Sequence, residues 1–315
     1  MSYRFEQELN EEYCYHPKFC RDRKLEVSRC KKKKKDIYLW TDIFGDVLRQ
    51  GSSRYAGSPQ LGYQIKTMGV TQGLDWRFSE CFYVGALGAY TDSLIHWNHT
   101  HSKGTIQTGY GGLYLSGISD MLYANLSIIG SWSHYKGHRN INFPGVDLTA
   151  TNTHGGSQLL THGDTGINLG YRGFTIRPFD SFDYITQTEN AFTEIGAEAY
   201  NLHVEKSNAI LFRNELGMQF AGCFYFHNSK WTISPKVSWV REVRFKGKGY
   251  TSEFTGTNVQ FQSTGFFPTR NLVSPGIMVT GVMLEDLLAL DLYYNGEFWK
   301  KYTDHNYGGQ IQFRF

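Results

Sequence analysis

From Ile37 onward the chain alternates apolar and polar residues in segments of about ten or more, each ended by turn residues. Side chains of an extended strand point alternately to opposite faces, so each segment reads as a strand with one greasy and one wet side. The first such strand holds Trp40, Phe44 and Gly45, and a loop is expected from Arg49 to Pro59. In the second, Met68, Val70, Leu74, Trp76 and Phe78 share one face, opposed by Thr67, Thr71, Asp75 and Arg77. A tight turn at Ser79-Glu80 leads to Phe82, Val84, Ala86, Gly88 and Tyr90. A loop is expected at His96–His101, then a fourth strand from Thr105 to Ile118 and a turn at Ser119-Asp120.

The fifth strand sets Leu122, Ala124, Leu126, Ile128, Gly130 and Trp132 outward, with Tyr123, Asn125, Ser127, Ser131 and Ser133 inward. A long polar loop is expected from Gly137 to Gln158. The pattern resumes near Asp164–Arg172 and turns at Gly173 into Phe174–Thr186. Beyond another long loop, Phe212, Leu216, Met218, Phe220 and Phe224 oppose Arg213, Glu215 and Gln219. Trp231, Ile233, Val237 and Trp239 then oppose Lys236, Glu242 and Arg244. After the longest loop, Gly247–Arg270, come Val273–Met283, a turn at Glu285-Asp286, and Leu288, Leu290 and Leu292 facing away from Asp291 and Glu297. In the last strand Tyr307, Ile311, Phe313 and Phe315 share a face.

The tally is twelve strands whose connections alternate long and short. An even count returns both chain ends to one side, with the short turns. A dry sandwich core would not tolerate so many polar positions on its inner face, whereas a wet lumen does. The fold class expected is all-β: a twelve-stranded antiparallel transmembrane β-barrel over residues 37–315, preceded by a charged tether, 1–36, with little order. A barrel of this size has a lumen roughly a nanometre across, wide enough for one helix or an extended chain.

Composition supports this picture. Aromatic residues make up 16% of the 315 residues and glycines number 34, which suits many strands girdled by aromatics at two interfaces. The expected girdle is Trp76, Phe78, Phe82, Trp132, Trp231 and Trp239; the expected lumen-facing polar set is Asp75, Arg77, Arg213, Glu215, Lys236, Glu242, Arg244, Asp291 and Glu297. No run of some 18 apolar residues occurs, which removes a transmembrane helix. A net charge of +3 is too small to argue for nucleic acid, and Lys31–Lys35 reads as a solvated tether. The opening MSYRFEQELNEEY is acidic where a secretory leader is basic, so the expectation is a fragment or a start downstream of the true one.

Candidate chemistry is sparse. Cys14, Cys20, Cys30, Cys81 and Cys223 match neither a disulfide framework nor a zinc site by spacing, so free or intermolecular thiols are expected. Cys14, His16 and Cys20 form the one weak metal candidate there. His96, His99 and His101 lack an accompanying carboxylate or cysteine and read as solvated loop histidines. No nucleophile elbow of the G-x-S-x-G type occurs, so no catalytic residue, metal or cofactor is assigned.

Several stretches resemble the translocator domain of autotransporters, the type V secretion proteins. Arg177–Phe220 has the family's order of Pro178, Tyr184, Phe192-Thr193-Glu194, Gly196, Leu202, and Arg213 to Leu216-Gly217. Trp40 with Phe44-Gly45, Gly73–Phe78, Ile233–Val243 and the closing Leu290–Phe315 are similar to other strands of that domain. The cysteines resemble those of the chlamydial polymorphic outer-membrane proteins, a branch of this class. The resemblance implies an outer-membrane barrel that anchors or exports an N-terminal passenger. Its implied partners are the lipid bilayer, the barrel assembly machinery and periplasmic chaperones, with the terminal strand as the insertion signal. Family members carry a large passenger and a pore helix before the barrel, and some an Asn-Asn cleavage junction; here 36 residues precede it and the junction is absent. A stand-alone channel and an outer-membrane hydrolase are the alternative functions.

Overall fold

In a computed structural model the residues described are 36–55, 58–79, 81–119, 121–171, 173–226, 229–246, 249–257, 259–264, 269–284 and 287–314. The tether, with Cys14, His16, Cys20, Cys30 and the lysine run, lies outside them, as do Phe315 and the turn residues Glu80, Asp120, Glu285 and Asp286.

Twelve strands form the ring: β1 (Asp36–Gln50), β2 (Tyr63–Ser79), β3 (Phe82–Trp97), β4 (Lys103–Ile118), β5 (Leu122–Phe143) and β6 (Val146–Ile167), then β7 (Phe174–Glu189), β8 (Ser207–Phe226), β9 (Ser229–Lys246), β10 (Arg270–Met283), β11 (Leu288–Trp299) and β12 (Tyr302–Arg314). Leu169–Tyr171 continues β6 beyond Asn168. Each strand pairs antiparallel with its neighbours in sequence, and β1 pairs with β12 from Tyr38↔Arg314 to Gln50↔Tyr302. Every ladder is therefore satisfied and no barrel edge is left open, as a bilayer requires.

The alternation sorts as the strand period dictates. Met68, Leu74, Leu113, Leu122, Ile128, Trp132, Phe174, Leu216, Val237 and Leu292 are exposed outside, while Asp75, Ser127, Ser131, Gln219, Ser234 and Asp291 are buried inside. Burial of serine, threonine and carboxylate against exposure of leucine and phenylalanine inverts a soluble protein, and marks a lipid-facing exterior. Among the outer polar positions, a carboxylate stands out on β7. Asp180 sits between Ile176 and Phe182 on the outer face of β7 and accepts a hydrogen bond from Asn214 Nδ2 at 2.7 Å. Glycines opposite aromatics tighten the ladders: a Cβ at Gly73 would collide with the Trp40 indole.

Several expected loops are corrected. Gly137–Gln158 is not a loop: β5 and β6 run on as 22-residue strands to a tight turn at Pro144-Gly145, where Gly145 has φ 86°. The ladder continues beyond the bilayer, where both faces are wet and apolar alternation is no longer selected. His96 likewise belongs to β3, and the chain reverses over Asn98–Ser102. The connection from β11 to β12 is as short, so long and short links do not strictly alternate. The loops after β7 and β9 instead build a small antiparallel cap sheet from Phe192–Thr193, Leu202–Val204, Gly249–Phe254 and Gln260–Thr264.

Candidate functional site

The enclosed face of the barrel has two unlike walls. Strands β6 to β11 carry an ion-pair network centred on Arg213 of β8. Its guanidinium meets Glu297 of β11 through two nitrogens, Glu242 of β9 at 3.2 Å, and Glu215 and Asp183 at 3.7 Å. Glu242 also takes Arg270 at 2.7 Å, and Glu215 takes Lys236 at 3.3 Å and the Ser238 hydroxyl at 2.5 Å. The network runs on through Asp183 to His162 at 2.6 Å, then Asp164 at 3.2 Å, which accepts both bonds of the Asn125 amide. Nearer the short-turn rim, Arg177 donates to Asn168 at 2.7 Å and Gln219 at 2.9 Å and lies over the Tyr123 ring. A fork of fixed donors suits Arg213 to bridge several carboxylates from different strands at once.

The opposite wall, β1 to β6, faces a cavity of about 680 Å³. Its lining is largely aromatic and aliphatic (Trp40, Phe44, Leu87, Tyr110, Tyr114, Ile129), interleaved with hydroxyls such as Thr91, Thr108 and Ser131 and with the carboxylates Asp42 and Asp46 of β1. Trp40 Nε1 donates to Tyr114 Oη at 3.1 Å, and Tyr293 donates to Asp42 at 3.0 Å, so the polar ends of the rings are paired within the barrel.

At the long-loop end the cap sheet is fixed to the β5–β6 extension. Glu194, 4% exposed, receives Arg139 through Nε at 3.0 Å and Nη2 at 2.5 Å, while the same Nη2 donates to the Tyr200 carbonyl. Tyr135, His154 and Phe192 stack at centroid distances of 4.8 and 4.1 Å. Tyr250 donates to Glu189 at 3.0 Å, and burial together with that carboxylate raises the tyrosine's pKa.

Of the residues singled out by sequence, Arg213, Glu215, Lys236, Glu242 and Glu297 meet in one network. Asp75 and Asp291 stand apart from it, both wholly buried, the latter accepting from Thr280 at 2.6 Å. Arg77 lies over the Tyr83 ring at the short-turn rim, and Arg244 lies beyond Glu242 toward the opposite end of β9. Trp76, Phe78 and Phe82 are exposed and adjacent, with ring centroids 6.2 and 5.9 Å apart. Trp132 and Trp239 are exposed higher on their strands, and Trp231 is half-buried near the foot of β9. Tyr307, Ile311 and Phe313 are exposed on the outside of β12. His96, His99 and His101 lie at the β3–β4 reversal, and no metal-holding group of His, Cys, Asp or Glu occurs among the described residues. The expectation of unpaired or intermolecular thiols is overturned for Cys81 and Cys223, which are disulfide-bonded.

Sequence reasoning did not single out His162, Asp164, Asp183, Arg270 or the apolar wall. The signal for His162 and Asp164 was present as a two-residue spacing on β6, masked by Gly163 and Gly166. The apolar wall was masked because β4 carries Tyr110 and Tyr114 inward and Leu113 and Leu115 outward, apolar on both faces.

Comparison with known proteins converges on one family. The autotransporter beta-domain family matches residues 39–295. No curated protein matches the chain. Among solved structures, the chain is similar to the translocator domain of the autotransporter NalP from Neisseria meningitidis, with TM-score 0.66, 12% identity, and coverage of 99% of this chain and 95% of that one. The β domain of the Bordetella autotransporter BrkA gives TM-score 0.63 at 14% identity over 89% and 100% of the two chains. The transport unit of AIDA-I from Escherichia coli gives 0.59 at 12% over 100% and 98%. At these identities the structures speak for the fold, and the family match carries the rest. This chain belongs to the autotransporter beta-domain family and is an outer-membrane β-barrel translocator for a passenger.

Proposed function

We propose that the passenger crosses as an extended segment along the β1–β6 wall, and that the ion-pair wall keeps the ring open while it does. The observation that carries this reading is the division of the lumen: most β6–β11 charges are paired with one another, whereas the cavity, lined chiefly by β1–β6, presents hydroxyls and ring faces with only the β1 carboxylates Asp42 and Asp46 among them. A wall of paired charges has little field left to trap a moving chain, and short hydroxyl and aromatic contacts are individually weak. The lining charges Asp75, Arg77, Arg213, Glu215, Lys236, Glu242, Arg244, Asp291 and Glu297 accordingly serve shape and hydration, with no catalytic duty. The outer row Tyr307, Ile311 and Phe313 on β12 is the surface offered to the assembly machinery and its chaperones, and the aromatics Trp76, Phe78, Phe82, Trp132, Trp231 and Trp239 seat the barrel at the two interfaces.

The test is a secretory leader and a small reporter domain fused ahead of Asp36 and expressed in a Gram-negative host. External protease should remove the reporter from intact cells while the barrel stays folded. A reporter confined to the periplasm behind a correctly inserted barrel would overturn the proposal.

A further inference from the structure

Toward the long-loop end, the outer surface of β1–β5 gathers cations above the lipid-facing rows. Thr67, Ser93, Ile106 and Ser133 line the cavity on β2, β3, β4 and β5, so their sequence neighbours face outward. The register stacks these neighbours in three rows. In the lowest, Asp92 stands opposite Gln107 and Gln107 opposite His134. In the next, Lys66, Leu94, Thr105 and Lys136 stand side by side; in the highest, Gln64, His96, Lys103 and His138 do. Arg49 of β1 extends the highest row, opposite Gln64. The four cations and the three histidines are all exposed. The row immediately below holds Tyr90 and Trp132, the latter 74% exposed.

Height decides what these rows meet. Climbing β3 from Phe82 at about 3.3 Å per residue and a tilt of about 40°, Tyr90 lies about 20 Å up. By the same measure the row of Lys66 and Lys136 lies about 30 Å up and that of Lys103 about 35 Å up. The apolar band of an outer-membrane barrel is about 25 Å tall, and the headgroup layer adds roughly 5–8 Å beyond it. The lysines therefore stand in or just above the headgroups, and a long ammonium stem can lean back into them.

Inside the molecule these charges have little to meet. Asp92 is the one acid on the three rows, and it already accepts from Gln107 Nε2 at 3.1 Å. Among the described residues, no hydrogen bond or ion pair engages the side chain of Arg49, Lys66, Lys103 or Lys136. Like charges gathered across neighbouring strands repel unless an anion joins them. In register with these rows on β6, β7 and β8, the outward Ser157, Thr153, Thr188 and Asn208 carry no charge.

We propose that this outward face of β1–β5 binds a phosphate-bearing lipid of the outer leaflet. Lys66, Lys103 and Lys136 take the headgroup phosphates through charge-assisted hydrogen bonds, and Trp132 lies beside the upper acyl chains. This depends on the long-loop end facing the outer leaflet, and not on the route of the passenger.

The test is a binding titration of the full chain, purified in nonionic detergent, with lipid A as the probe and native mass spectrometry as the readout. Two forms of the probe are used, one with both phosphates and one with the phosphates removed. K66Q/K103Q/K136Q should bind the phosphorylated form at least about tenfold more weakly than wild type, and the stripped form equally well. K206Q/K246Q/K300Q removes the same charge elsewhere and should bind like wild type. Undiminished affinity in the first variant, an equal loss in the second, or equal binding of both lipid forms to wild type would overturn the proposal. So would displacement by inorganic phosphate at the concentration of the lipid, which would show an anion site with no use for a membrane. Glutamine at these exposed positions breaks no contact; should the triple variant still fail to fold, K103Q alone must lose affinity severalfold or the proposal falls. None of these outcomes bears on whether a fused reporter reaches the cell surface, so the two readings stand or fall separately.

Discussion

On one side of the lumen Asp183, Arg213, Glu215, Lys236, Glu242, Arg270 and Glu297 hold one another across five strands; on the other, Trp40, Phe44, Leu87, Tyr110 and Tyr114 border open space. Both walls come from the same alternating strands, and both face inward. The difference lies in what a neighbour can supply. A charge turned inward needs a countercharge from an adjacent strand or costs several kcal/mol, so the charged wall is densely cross-linked. An aromatic ring turned into a wet lumen needs only a partner for its polar tip, so the other wall can border a void. On the reading proposed above, the first wall supplies stability and the second the path for a passing chain.

Substitutions can break that comparison. Arg213→Met should have the largest effect on stability, because it leaves Glu297, Glu242, Glu215 and Asp183 facing one another. About 3 kcal/mol is expected, the low end for a broken buried pair because the lumen is partly wet. Unfolding midpoints in detergent would report it, and adding Glu297→Gln should recover part of the loss. Gly73→Ala comes next: the new methyl displaces the Trp40 indole from the β1–β2 ladder, costing about 1–3 kcal/mol. Trp40→Ala should cost less than its core equivalent, about 1–2 kcal/mol, since water fills the space, while widening the cavity and raising bilayer conductance. If Trp40→Ala destabilised more than Arg213→Met, the division of labour between the walls would be wrong.

The smallest expected effect lies on the outer face. Asp180→Leu removes a carboxylate from a lipid-facing row and should stabilise the barrel by about 1 kcal/mol, less the bond lost to Asn214. Lower stability in lipid would show that Asp180 is not lipid-exposed in the assembled membrane.

The sequence made the outer surface legible and the inner one only in part. Rows such as Leu122, Leu126 and Ile128 are selected by the bilayer, and a period of two survives in them undiluted. Inside, an ion pair depends on register between distant strands, and nothing local in Arg213 or Glu297, 84 residues apart, specifies their meeting. The extension of β5 and β6 was hidden for a third reason. Beyond the membrane hydrogen bonding alone holds the ladder, and Arg139 shows its use only when Glu194 arrives from a loop 55 residues later. The cysteines misled because spacing rules address pairs within one segment, and nothing near Cys81 or Cys223 in the chain signals that they are disulfide-bonded.

The pairing of β1 with β12 has a consequence for the order of events during biogenesis. Thirteen register pairs join the earliest and the latest strands of the barrel, so the ring has two raw hems until its first and last strands meet. During that interval the interior is open sideways along its whole height. The amino end of β1, at Asp36, lies on one of those two hems at the short-turn rim.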